Sequence, residues 1–323
     1  MSGHAPALDP ELASVLTGVP SVPLTSENLM DARWRRAPLS PGDGSAKRVF
    51  CSTEANRVPL RVHTPVARVG VARRSCLLWI HSGGHVLDNW RSNGELLDEW
   101  ASRLDAVVVA PSYAISPERP YPAALDDCDE TFDWIVGNAD ELGIDPNRIC
   151  VVGVSAGGGL AAALGLRLRD RGGVAAAAQM LVYPMLDDRS ATESANWSGA
   201  AVWPKESNRF GWQAYLSDVQ EPVPSTAAPA RADDLTGLPA TYLVVGTADL
   251  FLDEVLTFGR RLVDADVPVD LHVYAGAPHG FVSLGSQTRI GRCAVGDMTD
   301  WMATRLADYP GSDVPVTIAE GVA

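Results

Sequence analysis

The sequence has little positive charge and no long apolar run. Its 26 Lys and Arg residues are outnumbered by 40 Asp and Glu residues, which gives a formal net charge of −14 at pH 7. Such a surface repels phosphate backbones and anionic lipid headgroups, so we expect neither nucleic acid nor a membrane as a partner. No stretch approaches the ~18 consecutive apolar residues of a membrane-spanning helix. The first residues, MSGHAPALDPELASVL, lack the basic start and apolar core of a signal peptide, which predicts a cytoplasmic protein.

Patterns typical of disulfides and of HExxH metal sites are also missing. The five cysteines are scattered, odd in number and contain no CxxC pair, which is typical of reduced, buried thiols. The six histidines form no HExxH motif, and we expect no metal site. What the chain does have is an apolar fraction of 46%, enough for a sizeable core.

From about residue 57 onward, short apolar runs alternate with helical patterns. Most of the runs are continuous, as in strands that are buried on both faces of a parallel sheet. The predicted strands are 78–80, 106–110, 149–154, 180–183, 241–245 and 269–274. The predicted helices are 94–104, 122–142, 158–172, 252–266 and about 290–307. This alternation predicts an α/β fold with a mostly parallel central sheet flanked by helices.

One long segment, 187–238, interrupts this alternation. It is too long for a bare loop, is helical in part, and carries Trp197, Trp203 and Trp212. We interpret it as an inserted helical cap that is joined by the N-terminal segment 1–45. Its aromatic residues would then line an apolar pocket, with Trp203 and Trp212 as the candidates. The alternative is that these rings only attach the cap to the body.

The stretch GVSAGGG, residues 153–159, is the first candidate for chemistry. It places Ser155 in a G-x-S-x-G pattern between a predicted buried strand and a helix of small residues. In that context the pattern is typical of a strained turn that exposes a nucleophilic serine. Glycines are needed because backbone packs against backbone at such a turn.

A serine nucleophile needs a base, and the base needs a carboxylate that orients it. Only His272 and His279 follow Ser155, and His272 lies within a predicted strand. His279 lies on the loop after that strand, at the sheet edge where active sites gather, and is the predicted base. Asp249 lies just after the preceding strand and is the predicted acid. Asp253 and Glu254 lie further on, at the start of a helix, where acidic residues are common.

The reaction also needs backbone N–H donors for a developing oxyanion. The run LLWIHSGGHV, residues 77–86, is a strand followed by a loop that contains Gly83 and Gly84. These two glycines and Ala156, the residue after the serine, are the predicted oxyanion donors. His85 follows them and is a further candidate for the substrate pocket.

Four blocks together resemble one family, the bacterial hormone-sensitive-lipase-like esterases of the α/β-hydrolase superfamily. HSGG at 81–84 resembles the family's HGGG loop, and YAISPE at 113–118 with PYPAALDDC resembles its YRLAPE segment. GVSAGG at 153–158 resembles its serine elbow, and DLFLDE at 249–254 with HGF at 279–281 resembles its acid and histidine blocks. The likeness covers residues 50–305 in the same order.

The resemblance implies an α/β-hydrolase fold with a helical cap and a carboxylesterase that needs no cofactor. It implies a triad of Ser155, Asp249 and His279, and a structural role for His81. The expected division is an N-terminal cap segment (1–45), a catalytic domain in two parts (46–186 and 239–323) and the cap insertion (187–238). Ser82 and Val154 depart from the family pattern, the first at a loop glycine and the second beside the nucleophile.

The expected reaction is hydrolysis of small, short-chain carboxylic esters through an acyl-enzyme. The same triad could also cleave amides, lactones and carbamates, and the sequence does not distinguish among these types of substrate bond. A non-hydrolytic small-molecule receptor of the same fold is the other alternative, and retention of all three triad candidates argues against it. By analogy alone, the chain is expected to form a homodimer through the last strand and helix.

Overall fold

The computed structural model describes residues 3–18, 22–36, 47–52, 57–65 and 73–307. The predicted segments extend beyond these ranges, and residues 1–2, 19–21, 37–46, 53–56, 66–72 and 308–323 lie outside the described residues. The described strands are β1 (Lys47–Ser52), β2 (Arg57–His63), β3 (Arg74–Ile80), β4 (Val107–Pro111), β5 (Ile144–Val154), β6 (Ala178–Val182), β7 (Ala240–Ala248) and β8 (Val269–Pro278). The described helices are α1 (Pro10–Val15), α2 (Leu29–Arg36), α3 (Gly94–Arg103), α4 (Ala123–Gly137), α5 (Ala139–Leu142), α6 (Ala156–Arg171), α7 (Lys205–Tyr215), α8 (Leu252–Asp264), α9 (Phe281–Leu284) and α10 (Arg289–Leu306).

The strands form one sheet, and its order confirms the predicted fold class. Within the described residues the order is β1-β2-β4-β3-β5-β6-β7-β8. β2 pairs antiparallel with both β1 and β4, and every other neighbouring pair is parallel. The parallel strands end at one edge of the sheet, so the loops that follow β3, β5, β7 and β8 meet there.

Burial follows the position of each strand in the sheet. All five residues of β4 and all five of β6 are buried, as expected for strands covered on both faces. β8 lies at the edge, and its residues are exposed or half-buried until the last two, Ala277 and Pro278, which are buried. The apolar runs predict the six strands β3 to β8, but neither β1 nor β2. Arg61 and His63 are fully buried in β2, and these polar residues interrupt the apolar pattern that marks a strand.

Two helix predictions need correction, one inside the helix and one at its start. The segment 122–142 was predicted as one helix, whereas the structure has α4 and α5, which meet at Asn138. The amide of Asn138 donates to the carbonyl of Trp134, which occupies the last turn of α4. α6 begins at Ala156, two residues before the predicted start, so the first turn of the helix follows Ser155 directly.

The segment between β6 and β7 contains α7 and two short 3-10 turns, Ser194–Asn196 and Pro229–Arg231. The N-terminal residues contact this segment. Ala5 N–H donates to Ser198 O at 3.0 Å, and Leu24 N–H donates to the Ser207 hydroxyl at 2.9 Å. The same N-terminal part also reaches the body, because Asp9 N–H donates to Gly276 O at 2.9 Å.

Candidate active site

Ser155 lies at the turn between β5 and α6, where the backbone is strained. Its φ is 58° and its ψ is −118°, outside the regions that non-glycine residues favour. The turn is tight: a Cβ added to Gly153 would lie 2.1 Å from the carbonyl oxygen of Gly157. Two backbone hydrogen bonds hold Ser155 in place. Met185 N–H donates to the Ser155 carbonyl at 3.0 Å, and Ser155 N–H donates to the Val182 carbonyl at 2.9 Å.

The three residues predicted as a triad lie in one hydrogen-bonded line. Ser155 Oγ is 2.9 Å from Nε2 of His279. Nδ1 of the same ring is 2.9 Å from Oδ2 of Asp249. The three side chains come from the loops after β5, β8 and β7, which are brought together by the parallel order of the sheet.

Further contacts fix the orientation of the carboxylate and the imidazole. Phe251 N–H donates to Oδ1 of Asp249 at 3.0 Å, which leaves Oδ2 for the ring. The rings of Phe251 and Tyr183 meet the His279 ring edge-on, at centroid distances of 5.1 and 4.8 Å. Burial raises the pKa of the Tyr183 hydroxyl, so this neighbour stays neutral. Sequence reasoning missed both aromatic residues, although each follows the end of a buried strand.

The residues that were set aside as base or acid lie elsewhere. His272 lies in the edge strand β8, where its ring stacks on Tyr242 and 37% of its side chain is exposed. Asp253 accepts a hydrogen bond from Ser194 N–H at 2.8 Å. Glu254 is buried and accepts from Leu186 N–H at 2.8 Å. Both carboxylates therefore fasten the segment after β6 to the start of α8.

The loop after β3 carries the predicted oxyanion donors. Gly83 and Gly84 have φ of 145° and 57°, a conformation that side chains rarely adopt. Within the part of the chain that the structure describes, their N–H groups donate to no protein oxygen. Ala156 is the first residue of α6, where an N–H has no partner inside the helix. A Cβ on Gly157 would lie 2.2 Å from Ile80 O, so this loop and the start of α6 are in direct contact.

Contacts of His81 stabilise the start of this loop. Nδ1 of His81 lies 2.7 Å from the Ser82 carbonyl oxygen, and the ring stacks on Tyr113 at 4.0 Å. The Tyr113 hydroxyl donates to the His81 carbonyl at 2.7 Å. Burial is the main reason that the pKa of His81 falls to about 4. Ser82 does not have a positive φ, so serine at this glycine position of the family pattern carries no backbone strain.

The three residues predicted for the pocket adjoin the oxyanion loop. The Trp203 ring lies against Gly84, where an added Cβ would be 2.1 Å from the indole. The His85 ring contacts Trp212 at a centroid distance of 5.5 Å and stacks on Tyr215 at 3.9 Å. Burial lowers the pKa of His85 to about 3, so its imidazole is neutral.

The site is closely covered. Ser155 is 3% exposed and His279 is 6% exposed. Trp203 covers the oxyanion loop, and the Val202 side chain lies beside Gly280, the residue after the imidazole. Val202 has a φ of 69°, which is a strained conformation for a β-branched residue.

Neither a metal cluster nor a membrane span is found among the described residues. His81 and His85 are four residues apart, a spacing that suits two metal ligands on a helix, but the segment between them is a loop. No group of three or more His, Cys, Asp or Glu side chains in the described ranges is placed to hold a metal ion. None of the described helices has the length and apolar composition needed to cross a membrane.

A separate cavity of about 330 Å³ is lined by residues of the segment after β6 and of α8, Glu254 among them. Three arginines line it, and each is already engaged. Arg189 pairs with Asp187 at 2.7 Å, and Arg231 pairs with Asp188 at 2.7 Å. The third, Arg261, donates to backbone carbonyls. These contacts fasten loops together, and the cavity touches none of the three residues of the hydrogen-bonded line.

Known proteins resemble this chain over most of its length. Residues 77–283 match a family described as having an alpha/beta hydrolase fold. Esterase LipI of Mycobacterium tuberculosis is 33% identical over 285 residues, which are 86% of this chain and 88% of that protein. The ethyl acetate hydrolase of Pseudomonas putida is 29% identical over 241 residues, covering 72% of this chain and 74% of its own.

A solved structure agrees in both fold and extent. The bacterial heroin esterase superposes with a TM-score of 0.87 at 34% identity, over 94% of this chain and 99% of that one. The chain therefore belongs to the α/β-hydrolase superfamily and, within it, to the hormone-sensitive-lipase-like esterases that its four sequence blocks resemble.

Proposed function

We propose that the chain is a serine carboxylesterase that hydrolyses small, short-chain esters through an acyl-enzyme. The observation that carries this proposal is the hydrogen-bonded line from Ser155 through His279 to Asp249. The loop after β3 adds two backbone N–H groups, those of Gly83 and Gly84, which have no partner in the described chain. A nucleophile, a base, an orienting acid and oxyanion donors are the parts that acyl transfer requires.

In the first half of the reaction, Ser155 Oγ attacks the ester carbonyl carbon while Nε2 of His279 accepts the serine proton. Asp249 holds the ring in the tautomer with Nδ1 protonated and stabilises the imidazolium that forms. The N–H groups of Gly83, Gly84 and Ala156 bind the oxyanion. The imidazolium then gives its proton to the departing alcohol, which leaves an acyl group on the serine.

In the second half, a water molecule takes the position of the alcohol. His279 accepts its proton as the oxygen attacks the acyl carbon, and returns the proton to Ser155 as the acid leaves. The same donors bind the second oxyanion. Loss of one such donor reduces kcat by about 10²–10³-fold in a well-studied protease, and each is expected to contribute on that scale here.

The close packing of residues around Ser155 and Gly84 supports a preference for small esters. We propose that the segment 187–238 and the N-terminal segment 1–45 form a cap, because their contacts through Ser198 and Ser207 join them. Trp203 in this cap lies directly on Gly84, which limits the space above the serine. The ethyl acetate hydrolase among the relatives is named for an ester of this size.

The test is turnover of p-nitrophenyl esters with acyl chains of two to twelve carbons. The proposal expects the highest kcat/KM at short chains and a steep fall beyond them. Ser155→Ala should lose activity by about 10⁴-fold or more, whereas Ser217→Ala, an exposed serine, should not. Equal activity of wild type and Ser155→Ala on all esters would reject the proposal. Faster turnover of matched amides, lactones or carbamates would keep the mechanism and change the substrate bond.

The predicted homodimer stays a prediction. β8 is an edge strand with no partner on its outer side within the described sheet. Leu271 and Val273 on this strand are 39% and 44% exposed. Light scattering during size exclusion gives the mass in solution directly, and a 34.3 kDa species would exclude the dimer.

A further inference from the structure

A cluster of unpartnered polar atoms lies beside the oxyanion loop. The cluster consists of His85, Trp212 and Tyr215, whose rings are in mutual contact and which we call the polar cage. All three residues are buried, with exposures of 2, 3 and 1%. Both ring nitrogens of His85, Nε1 of Trp212 and the Tyr215 hydroxyl have no hydrogen-bond partner among the described residues. Buried polar atoms nearly always have partners, so four such atoms in one cluster call for a partner from outside the chain.

The backbone at His85 is strained as well. Its φ is 64°, in the left-handed region that few non-glycine residues occupy. The conformation is held because Ser116 N–H donates to the His85 carbonyl at 2.8 Å. Strain of this kind persists where the surroundings enforce it, and it concentrates at functional sites. The His85 imidazole is therefore held in a strained and buried position with both ring nitrogens unpartnered. An apolar ring such as phenylalanine would fill the same space without unpartnered polar atoms.

The polar cage is within reach of a bound ester. His85 directly follows Gly84, and consecutive Cα atoms are about 3.8 Å apart. An ester whose carbonyl oxygen is held by the N–H of Gly84 therefore lies within a few ångströms of the His85 backbone. α7, which carries Trp212, packs on the same loop, because a Cβ on Gly211 would lie 2.5 Å from the Gly84 carbonyl oxygen.

The chemistry of the polar cage selects a neutral partner. Burial keeps the His85 imidazole uncharged, since the pKa of His85 falls to about 3. A neutral imidazole offers one N–H donor and one acceptor nitrogen, and the Trp212 indole offers a donor only. Because the cage holds no charge, an ionic group would lose its hydration there without a counter-charge. An ether oxygen or a hydroxyl fits this set of donors and acceptors.

We propose that the polar cage binds a neutral oxygen substituent of the substrate, a hydroxyl or ether oxygen, through His85 and Trp212. The enzyme then selects oxygenated esters over alkyl esters of the same length. This inference rests on the proposed esterase function and specifies its substrate class. An apolar pocket would have the opposite preference, because an ether oxygen must give up its water on entering it.

Wild-type enzyme tests the sign of the preference without any substitution. Two pairs exchange one methylene for oxygen: ethyl pentanoate against ethyl 3-methoxypropanoate, and pentyl acetate against 2-ethoxyethyl acetate. Each kcat/KM is divided by the rate at which hydroxide cleaves the same ester, which removes differences in intrinsic reactivity. We expect the oxygenated ester to be preferred about tenfold or more in at least one pair, because the alkyl ester leaves buried donors unpaired.

Two variants then locate the preference. His85→Phe and Trp212→Phe remove the polar atoms and keep aromatic rings. Each should reduce the preference by about tenfold, because kcat/KM for the oxygenated ester falls more than kcat/KM for the alkyl ester. Trp301→Phe is the matched control, because it removes an indole N–H that donates to Asp270 in the edge strand β8, away from the polar cage. Its preference should equal that of the wild type.

The outcomes separate this inference from the function on which it rests. Equal or alkyl-favouring rates in both wild-type pairs would overturn the inference and leave the esterase intact. A wild-type preference that survives in both His85→Phe and Trp212→Phe would assign it to other residues and equally overturn it. Failure of the wild type to cleave all four esters and p-nitrophenyl acetate would reject the esterase function itself, and this inference with it.

Discussion

The backbone of Gly157 lies against the carbonyl oxygen of Ile80, at a distance where an added Cβ would be only 2.2 Å from that oxygen. The His81 carbonyl oxygen would be 2.4 Å away. This contact joins the helix that begins after Ser155 to the strand end that leads into the glycine loop. The proposed nucleophile and the proposed oxyanion donors are therefore held together by a backbone contact that only glycine permits.

We expect Gly157→Ala to lower both stability and kcat. The methyl group meets backbone that cannot move aside, and overpacking of this kind costs about 1–3 kcal/mol of unfolding free energy. The displacement should also reduce kcat, because it separates Ser155 from the donors. Chemical denaturation and p-nitrophenyl acetate turnover measure the two effects.

Gly296→Ala is the matched control, because a Cβ at Gly296 in α10 meets no atom within 4 Å. There the substitution should raise stability by up to about 1 kcal/mol through helix propensity. A Gly157→Ala variant as stable and active as the wild type would contradict the described packing.

The acid can be tested by comparing two neighbouring aspartates. Asp249→Asn should lower kcat by about 10⁴-fold, because an asparagine in this position favours the wrong imidazole tautomer. Asp253→Asn should cost far less, since Asp253 binds the Ser194 N–H and does not reach the ring. Steady-state kinetics on one ester suffice, and a larger loss in Asp253→Asn than in Asp249→Asn would show that the acid has been misassigned.

Acid should destabilise the protein partly through His85. Its pKa is lowered from 6.5 to about 3 in the folded protein, so the unfolded chain binds the proton more readily. The free energy of unfolding therefore holds its full value above pH 6.5 and falls as the pH decreases toward 3. The loss through this one residue should reach about 2–3 kcal/mol at pH 4.5.

The measurement is urea denaturation at several pH values for wild type and His85→Phe. The difference between the two stabilities should shift in favour of the variant as the pH falls below 6.5. A difference that does not change between pH 7 and pH 4.5 would show that His85 is not buried in neutral form. Other groups, including His81, titrate in both proteins and cancel in the comparison.

The proposed cap can be tested through the preference for acyl chain length. Trp203→Ala removes the ring that covers Gly84 and should shift the preferred acyl chain to longer esters, because space opens above the serine. It should also destabilise the protein, because loss of a buried tryptophan costs about 3–5 kcal/mol of unfolding free energy. Trp34→Ala, which removes an 80% exposed ring on α2, should leave both properties unchanged. An unchanged chain-length profile in Trp203→Ala would place the limiting surface elsewhere.

The sequence predicts the parallel part of the fold well, because each parallel strand is marked by an apolar run within its own few residues. Strands β3 to β7 contain buried apolar runs, and the edge strand β8 has a shorter and partly exposed one. The loops after β3, β5, β7 and β8 contain the glycines, the serine, the aspartate and the histidine. The antiparallel β2 gives no such signal, since Arg61 and His63 are buried inside it. Burial of a charged residue depends on partners that are distant in sequence, and a single chain does not reveal them.

The polar cage shows the same limit within the site. His85 and Trp212 were each predicted as pocket residues, but from separate patterns that are more than 120 residues apart. Their contact with each other and with Tyr215 depends on how α7 packs on the loop after β3. Tyr183 and Phe251 were missed for a related reason, since an aromatic residue after a strand is equally compatible with the core.

The most direct test of the account is covalent labelling of the serine. Wild-type protein mixed with a p-nitrophenyl alkylphosphonate ester should lose activity and gain the mass of one phosphonyl group. Peptide mapping should place that group on Ser155, and Ser155→Ala should take up none. A label on another residue, or equal labelling of the variant, would contradict the claim that Ser155 is the nucleophile.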